Sequence, residues 1–261
     1  MMVFNRKLGV SFRKIGKDYH LGRRDYKEKL FEDITKGAHL KKGSLILDAG
    51  CGTGKSTIPF LKKGYDVIGI DISQNMLNTA KKLTSRYKTV KYKKISFEKA
   101  NFNSNSFDLI LFGTSIHWMN KKVVYKKANR LVHKDGYVAV FWEPINALDK
   151  TIKHLKLYEL FLSYCKNYPK NTNENATLLR RKNSLSNAQL FKEMIVKTYK
   201  NKNVYSLEEF MSLISSYSWV LSLGKNERDK LLKEVRKRLK NRKSKIVVNG
   251  KFYLILTKVK K

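Results

Sequence analysis

Apolar positions along the chain fall into short runs separated by segments of helical spacing. The stretch Phe12 to Lys36 ends in a predicted helix with Leu30, Phe31 and Ile34 on one side. Leu45 to Leu47 is a buried strand ending at Asp48, followed by a glycine-rich turn and a helical segment through Ile58, Phe60 and Leu61. Val67 to Ile70 is a second strand, ending at Asp71. Ser73 is a natural N-cap for the helix that carries Met76, Leu77, Ala80 and Leu83. A third strand lies near Val90 to Tyr92, a fourth at Phe107 to Phe112 and a fifth at Tyr137 to Trp142, with a helix near Lys121 to Leu131. This alternation predicts a parallel sheet covered by helices on both faces.

After Trp142 the pattern changes. Leu155, Tyr158, Leu162 and Cys165 have the spacing of an amphipathic helix, and the polar stretch from Lys166 to about Asn187 reads as an exposed loop. Met194 to Tyr199 reads as a strand, and Ser206 with Glu209 makes a capping box for a helix bearing Phe210, Met211 and Ile214. A basic helix runs from about Glu227 to Leu239 over a Leu231, Leu232, Val235 and Leu239 stripe, and Phe252 to Leu256 is a final strand. The expected sheet has five strands before Trp142 and two after about Met194, the last antiparallel. Residues 146–190 would form a helical cap and loop above its C-terminal edge.

Charge changes the picture of partners more than of fold. Lysine and arginine number 56 against 21 acids, a formal net charge of +35. Such a field attracts nucleic acid, anionic membranes or acidic small molecules. The excess is mostly lysine, and the chain is also rich in Asn, Ile and Tyr with three prolines, so compositional drift at tolerant surface positions is the preferred explanation. No apolar run approaches 18 residues and no leader-like start is present, so a soluble cytoplasmic protein with no membrane partner is expected. Cys51 and Cys165 make no disulfide framework, and the five histidines show no ligand spacing, so no metal is expected.

The central chemical signal is Asp48-Ala49-Gly50-Cys51-Gly52-Thr53-Gly54 after the first strand. Such a turn brings backbone close to a ligand and aims a helix start at it. Its G-x-G-x-G spacing differs from the dinucleotide fingerprint, and Ala49 to Ser56 also reads as a permissive phosphate-binding loop. The carboxylates of Asp48 and Asp71 favour a ligand with an ammonium, a sulfonium and a ribose diol over phosphate. Asp71, 17 residues past Gly54, stands where an acid reaches ribose hydroxyls in a βαβ unit.

These residues carry a resemblance. DAGCGTG after a strand, DVIGIDIS with Asp71, and SFDLILFGTSIHW resemble class I S-adenosylmethionine-dependent methyltransferases, in particular the methyltransferase type 11 group. The segment from Asp18-Tyr19-His20 through Arg23-Arg24-Asp25-Tyr26 resembles the N-terminal lid of trans-aconitate-methyltransferase-like members, with Arg24 in place of a proline. Tyr205-Ser206 through Ser215-Ser216-Tyr217-Ser218, followed by Leu223 and Arg228, is similar to the C-terminal half of that subgroup.

The resemblance implies an α/β, Rossmann-like fold: a seven-stranded mostly parallel sheet with helices on both faces and a helical cap insertion. It divides the chain into a lid and helix (1–40), a cofactor-binding core (41–145), the cap (146–190) and a C-terminal part completing the sheet (191–261). The implied cofactor is S-adenosyl-L-methionine. Asp48, Gly50, Cys51 and Gly52 would surround its methionine moiety, and Asp71 would take the ribose hydroxyls. Ile72 and Met76 would flank the adenine, and Ser96 and Phe97 would meet its edge, with Ser96 departing from the usual aspartate. Gly113 and Thr114 would face the methyl and ammonium groups, and Arg23 the carboxylate.

Methyl transfer from a sulfonium is an in-line displacement, so alignment and desolvation supply most of the acceleration. A base is needed only when the acceptor must lose a proton. His117, just beyond the fourth strand, is the candidate by position, against the alternative that His117-Trp118 merely packs the loop. Tyr19, His20 and Tyr26 are candidate lid residues, and Trp142 and Trp219 are expected in the core. A small-molecule acceptor is the leading expectation. Two alternatives stand beside it: RNA held by residues 225–245, which contain 11 Lys/Arg and 3 acids, and a non-catalytic cofactor-binding module.

Overall fold

The computed structural model describes residues 16–144, 146–169, 173–242 and 244–261. The part of the predicted N-terminal stretch before residue 16 lies outside them. The chain opens with α1 (Gly16–Gly22) and α2 (Glu28–Gly37), then β1 (Leu45–Ala49), α3 (Ile58–Lys62), β2 (Asp66–Asp71), α4 (Gln74–Leu83) and β3 (Val90–Lys94). β4 (Phe107–Gly113), a 3₁₀ turn (Ile116–Trp118), α5 (Lys121–Leu131) and β5 (Val132–Trp142) complete the alternating part. Next come α6 (Asn146–His154), α7 (Tyr158–Tyr164), α8 (Glu174–Ser186), β6 (Phe191–Tyr205), α9 (Leu207–Ser215), α10 (Ser218–Leu221), α11 (Lys225–Leu239) and β7 (Ile246–Val259).

The strands form one seven-stranded sheet in the order β3-β2-β1-β4-β5-β7-β6. β1 to β5 are mutually parallel, and β7 runs antiparallel to both β5 and β6. This is the Rossmann-like arrangement expected, with the chain reversing on either side of β1 and β4.

Alternation along the central strands builds two cores. On β4, Ile110 and Phe112 face Val124, Ala128 and Leu131 of α5, while Leu109 and Leu111 face Leu30, Phe31 and Ile34 of α2 with Phe60 of α3. A third core lies among α6, α7, α9, α10 and α11, joined by Ile246 and Val248 from the start of β7. Residues 146–164 therefore share their buried face with residues 205–248. Trp142 and Trp219 are buried, at 2% and 3% exposure.

Caps act where the spacing placed them. Ser73 accepts from the Met76 amide, and Ser206 and Glu209 exchange hydrogen bonds of 3.2 and 2.8 Å. One expectation is corrected: much of the polar stretch after Lys166 is the helix α8 rather than a loop. Asn173 caps it by accepting from the Ala176 amide at 3.1 Å. Its only fully buried residue among those described is Leu185, so no apolar stripe announces it. β6 and β7 also run beyond their apolar centres, pairing from Phe191↔Val259 to Tyr205↔Ile246.

Candidate active site

Three strand ends meet at the C-terminal edge of the sheet. β1 delivers the glycine loop, in which Gly50 (φ +76°) and Gly52 (φ +54°) take the left-handed backbone that other residues avoid. A Cβ on Gly50 would lie 2.6 Å from that of Ser115, so β1 and β4 close on each other there. A Cβ on Gly52 would meet nothing within 4 Å. That open flank is where a ligand can approach the backbone.

Two carboxylates border the loop. Asp71, at the end of β2, accepts from the Gly52 amide at 3.0 Å and the Ser73 amide at 2.8 Å, one on each oxygen. Burial raises its pKa, and those backbone N–H groups work against the rise. Asp48 is fully buried. Its Oδ2 accepts from Ser56 at 2.6 Å and Thr57 at 2.7 Å, whereas Oδ1 has no partner among the described residues. Burial pushes its pKa up to about 6, the two hydroxyls oppose the shift, and Asp71 adds to it.

A phosphate-binding loop needs free amides and a free lysine. Here the Gly50 and Cys51 amides donate to the Ile70 carbonyl, the Gly54 amide donates to Cys51, and the Gly52 amide is held by Asp71. Lys55 pairs with Asp25 at 2.6 Å. Two carboxylates, one with an unpartnered buried oxygen, beside an open glycine flank instead suit a cationic ligand bearing hydroxyls.

β4 supplies Gly113 and Thr114. Thr114 holds φ +52°, a conformation that costs a β-branched residue of order 1–3 kcal/mol. Its amide donates to the Phe141 carbonyl at 2.8 Å, and its Oγ1 lies 3.1 Å from the Tyr26 hydroxyl. Tyr26 is fixed by edge-to-face contacts with Phe31, Phe141 and Phe252 at 5.0–6.0 Å.

The N-terminal segment covers this edge. Gly22 ends α1 so close to α9 that a Cβ there would lie 2.5 Å from Ser212 and Leu213 backbone. The Arg23 guanidinium lies 3.9 Å from the Tyr217 ring centroid, and its Nε donates to Ser216 at 3.0 Å. Arg24 pairs with Glu209 at 2.9 Å and donates to the Val204 carbonyl, with its guanidinium 4.5 Å from the Tyr205 ring. His20 Nδ1 lies 3.2 Å from Thr53 Oγ1. Burial, then Lys55, lowers the His20 pKa.

Between cover and loop remains a cleft of about 60 Å³, lined by Arg23, Gly50, Cys51, Gly52, Gly113 and Thr114, together with Tyr26 and Glu143. Glu143 escaped the sequence reading. It follows β5, accepts from Asn201 at 3.1 Å, and has its pKa raised by burial against the influence of Asn201 and Arg23. Its signal is positional: an acid just past a parallel strand, where ligands gather in such sheets.

The remaining expected residues lie apart from that cleft. Ile72 is exposed directly after Asp71, whereas Met76 is buried under the start of α4. Ser96 follows β3, and Phe97 is buried edge-to-face on Phe112 at 5.3 Å. His117 is exposed, with Trp118 at 4.7 Å between centroids. Its pKa is lowered, first by the protein around the ring and then by repulsion from Arg181, Arg23 and Lys121, with solvent access at its exposed side limiting the first effect. It is neutral at ordinary pH.

Residues 47–140 match the methyltransferase domain family. The chain is 24% identical to an uncharacterised methyltransferase of Schizosaccharomyces pombe over 87% of this chain and 86% of that one. It is 33% identical to a demethylmenaquinone methyltransferase of Staphylococcus aureus over 40% of this chain and 45% of that one, so this second match spans under half of either protein. Among solved structures, phosphoethanolamine N-methyltransferase 2 of Haemonchus contortus, bound to phosphomonomethylethanolamine and S-adenosylhomocysteine, superposes with a TM-score of 0.57. It is 15% identical and covers 99% of this chain and 60% of that one. Fold, loop and matches together define a class I S-adenosylmethionine-dependent methyltransferase. Its cofactor is S-adenosyl-L-methionine.

Proposed function

We propose that the enzyme methylates a small-molecule acceptor by in-line transfer within the covered cleft. The carrying observation is the cover itself. α1 and the residues after it are fastened to α9 through Gly22 and the Arg24–Glu209 pair, and to the glycine loop through Asp25–Lys55. A site roofed in this way suits a small acceptor better than a polymer lying in an open groove. The name of the S. aureus relative, a demethylmenaquinone methyltransferase, supports the same class of acceptor.

The bound cofactor supplies an electrophilic methyl group on a sulfonium. Asp71 would hold the ribose hydroxyls through the oxygen lone pairs not used by Gly52 and Ser73, and Gly50, Cys51 and Gly52 would line the methionine moiety. Asp48 would balance positive charge from beneath the loop. Ile72, Met76, Ser96 and Phe97 would border the adenine, and Gly113 and Thr114 the transfer point. Arg23 would take the carboxylate. Tyr26, anchored on Thr114, would close the cleft and exclude water. His117, outside the cleft lining, would accept a hydrogen bond only from an acceptor that reaches past the cleft. Its depressed pKa makes it a weak base, which suits an acceptor that ionises readily. Residues 1–40 would act as the lid and 41–145 as the cofactor-binding core.

The test is methyl incorporation from labelled S-adenosylmethionine into an ultrafiltered small-molecule extract and, separately, into total RNA. Label in the small-molecule extract is expected. Label in ribonuclease-sensitive material alone would overturn the reading.

A further inference from the structure

Two buried hydrogen-bond donors are left without partners at one place in the fold. Nη1 of Arg181, on α8, is out of solvent contact and meets no acceptor among the described residues, and the same holds for Nε1 of Trp142 at the end of β5. The Arg181 guanidinium carbon lies 4.1 Å from the Trp142 ring centroid, so the two donors are neighbours. Buried donors are normally paired, because each one left open gives up much of its lost hydration. Among the described residues, no acidic side chain is recorded against Arg181. Burial pulls its pKa down to about 10, Tyr125 works against that, and Arg180 adds repulsion.

The surroundings are cationic too. Lys121, the first residue of α5, feels Arg181 and Arg180 as repulsive neighbours, and it stands at the positive end of that helix. His117 feels both Arg181 and Arg23, a wall of the cleft, as repulsive neighbours. His117 is exposed, so it marks the side from which solvent reaches the cluster. Surface lysines elsewhere keep their charge in water and ask for nothing. A half-buried arginine whose buried Nη1 has no acceptor among the described residues, beside a buried indole N–H, does ask for one, and an oxyanion satisfies both donors at once.

We propose that Arg181 and the Trp142 indole N–H form an oxyanion site, beside the methyl-transfer cleft, that seats a carboxylate or phosphate group of the acceptor. This rests on the small-molecule reading above and narrows it to acceptors carrying an anionic group. Arg181 is then a binding residue, and Lys121 and His117 line the approach.

The full chain, saturated with S-adenosylhomocysteine, is titrated calorimetrically with inorganic phosphate and, separately, with succinate. One of the two anions binds with one-to-one stoichiometry. Arg181→Met keeps an apolar stem on Trp142, removes the charge, and weakens that binding about tenfold or more. Arg181→Lys restores part of it, and Lys237→Glu, a surface control, leaves it unchanged. Affinity for S-adenosylhomocysteine is the same in all four proteins. Equal anion affinity with and without Arg181, binding of neither anion, or loss of S-adenosylhomocysteine affinity in Arg181→Met overturns the site. Failure of the wild-type chain to bind S-adenosylhomocysteine would instead remove the reading beneath it. A second measurement needs no variant: the small-molecule extract is split on an anion exchanger, and each fraction is offered to the wild-type enzyme with labelled S-adenosylmethionine. Label in the retained fraction supports the site. Label only in the flow-through, only in RNA, or in neither fraction overturns it.

Discussion

The Tyr26 hydroxyl and Oγ1 of Thr114 lie 3.1 Å apart, joining the segment after α1 to a threonine whose backbone is left-handed. Tyr26→Phe keeps the ring among Phe31, Phe141 and Phe252 and removes only that contact. Stability should fall by about 1 kcal/mol. Turnover should fall by roughly tenfold, because the cover no longer registers on the transfer point. Unchanged turnover in a single-turnover assay would detach Tyr26 from the chemistry.

Asp71 holds the Gly52 amide, and in the proposed function its remaining lone pairs would take the ribose hydroxyls of the cofactor. Asp71→Ala should weaken S-adenosylmethionine binding by roughly 1.5–3 kcal/mol, measured by calorimetry. Magnesium-ATP should bind neither protein. Tight ATP binding by the wild type would restore the phosphate-loop reading that the tethered Lys55 argues against.

Gly50 and Gly52 separate packing from binding. Gly50→Ala meets both a positive φ and Ser115 at 2.6 Å, and should cost about 3 kcal/mol of stability. Gly52→Ala meets only the φ penalty, about 1 kcal/mol, yet its methyl group would occupy the open flank. It should melt near the wild-type temperature while losing most cofactor affinity. The reverse pattern would place the ligand elsewhere.

Asp48 is expected to destabilise the fold at neutral pH. Its folded pKa, about 6, lies above its ordinary 3.8, so the folded state binds the proton more tightly. The stabilisation linked to that proton is full below the ordinary value and is lost as pH rises through the folded one. The two-unit shift caps the penalty at about 3 kcal/mol. Asp48→Asn should therefore raise the melting temperature near neutral pH, lose the gain at about pH 4, and bind S-adenosylmethionine more weakly. A gain independent of pH in melting experiments would refute the linkage.

Lys233 and Lys237 on α11 and Lys240 just after it are exposed, and none of them lines the cleft. Reversing all three to glutamate should leave methyl transfer unchanged. RNA should bind only through phosphate contacts, losing about 10³-fold in affinity between ~50 and ~200 mM salt. A large loss of transfer with the fold intact would make the basic helix a substrate-docking element.

The alternating half of the fold was legible because β1, β2, β4 and β5 carry buried apolar runs, and Asp48 and Asp71 stand at or next to the ends of two of them. Gly50, Gly52 and Asp71 could be named for the same reason: a strand, a turn and an acid at fixed spacing lie close together in sequence. α8 was not legible. Its capping residue is present, but a helix that buries little but Leu185 has no apolar period to detect. Glu143 and Arg181 were hidden differently. Nothing about either residue type is unusual in a lysine-rich chain, and each stands out only once Asn201 or Trp142 is beside it. Met76 and Phe97 were read as cofactor neighbours, and their burial was not visible from the sequence.

The contact at Gly22 bears on how such enzymes can be recombined. Residues near 20 and near 212 touch backbone to backbone, and Arg23 and Arg24 find their partners at Ser216 and Glu209. The roof over the cleft is thus built half from the first tenth of the chain and half from the last quarter. A chimera that exchanges only the N-terminal segment with a relative would set a foreign tile on a native frame. Grafts should fold and close only when residues 16–26 travel with residues 204–217, so the two stretches form a single unit of inheritance although they lie at opposite ends of the chain.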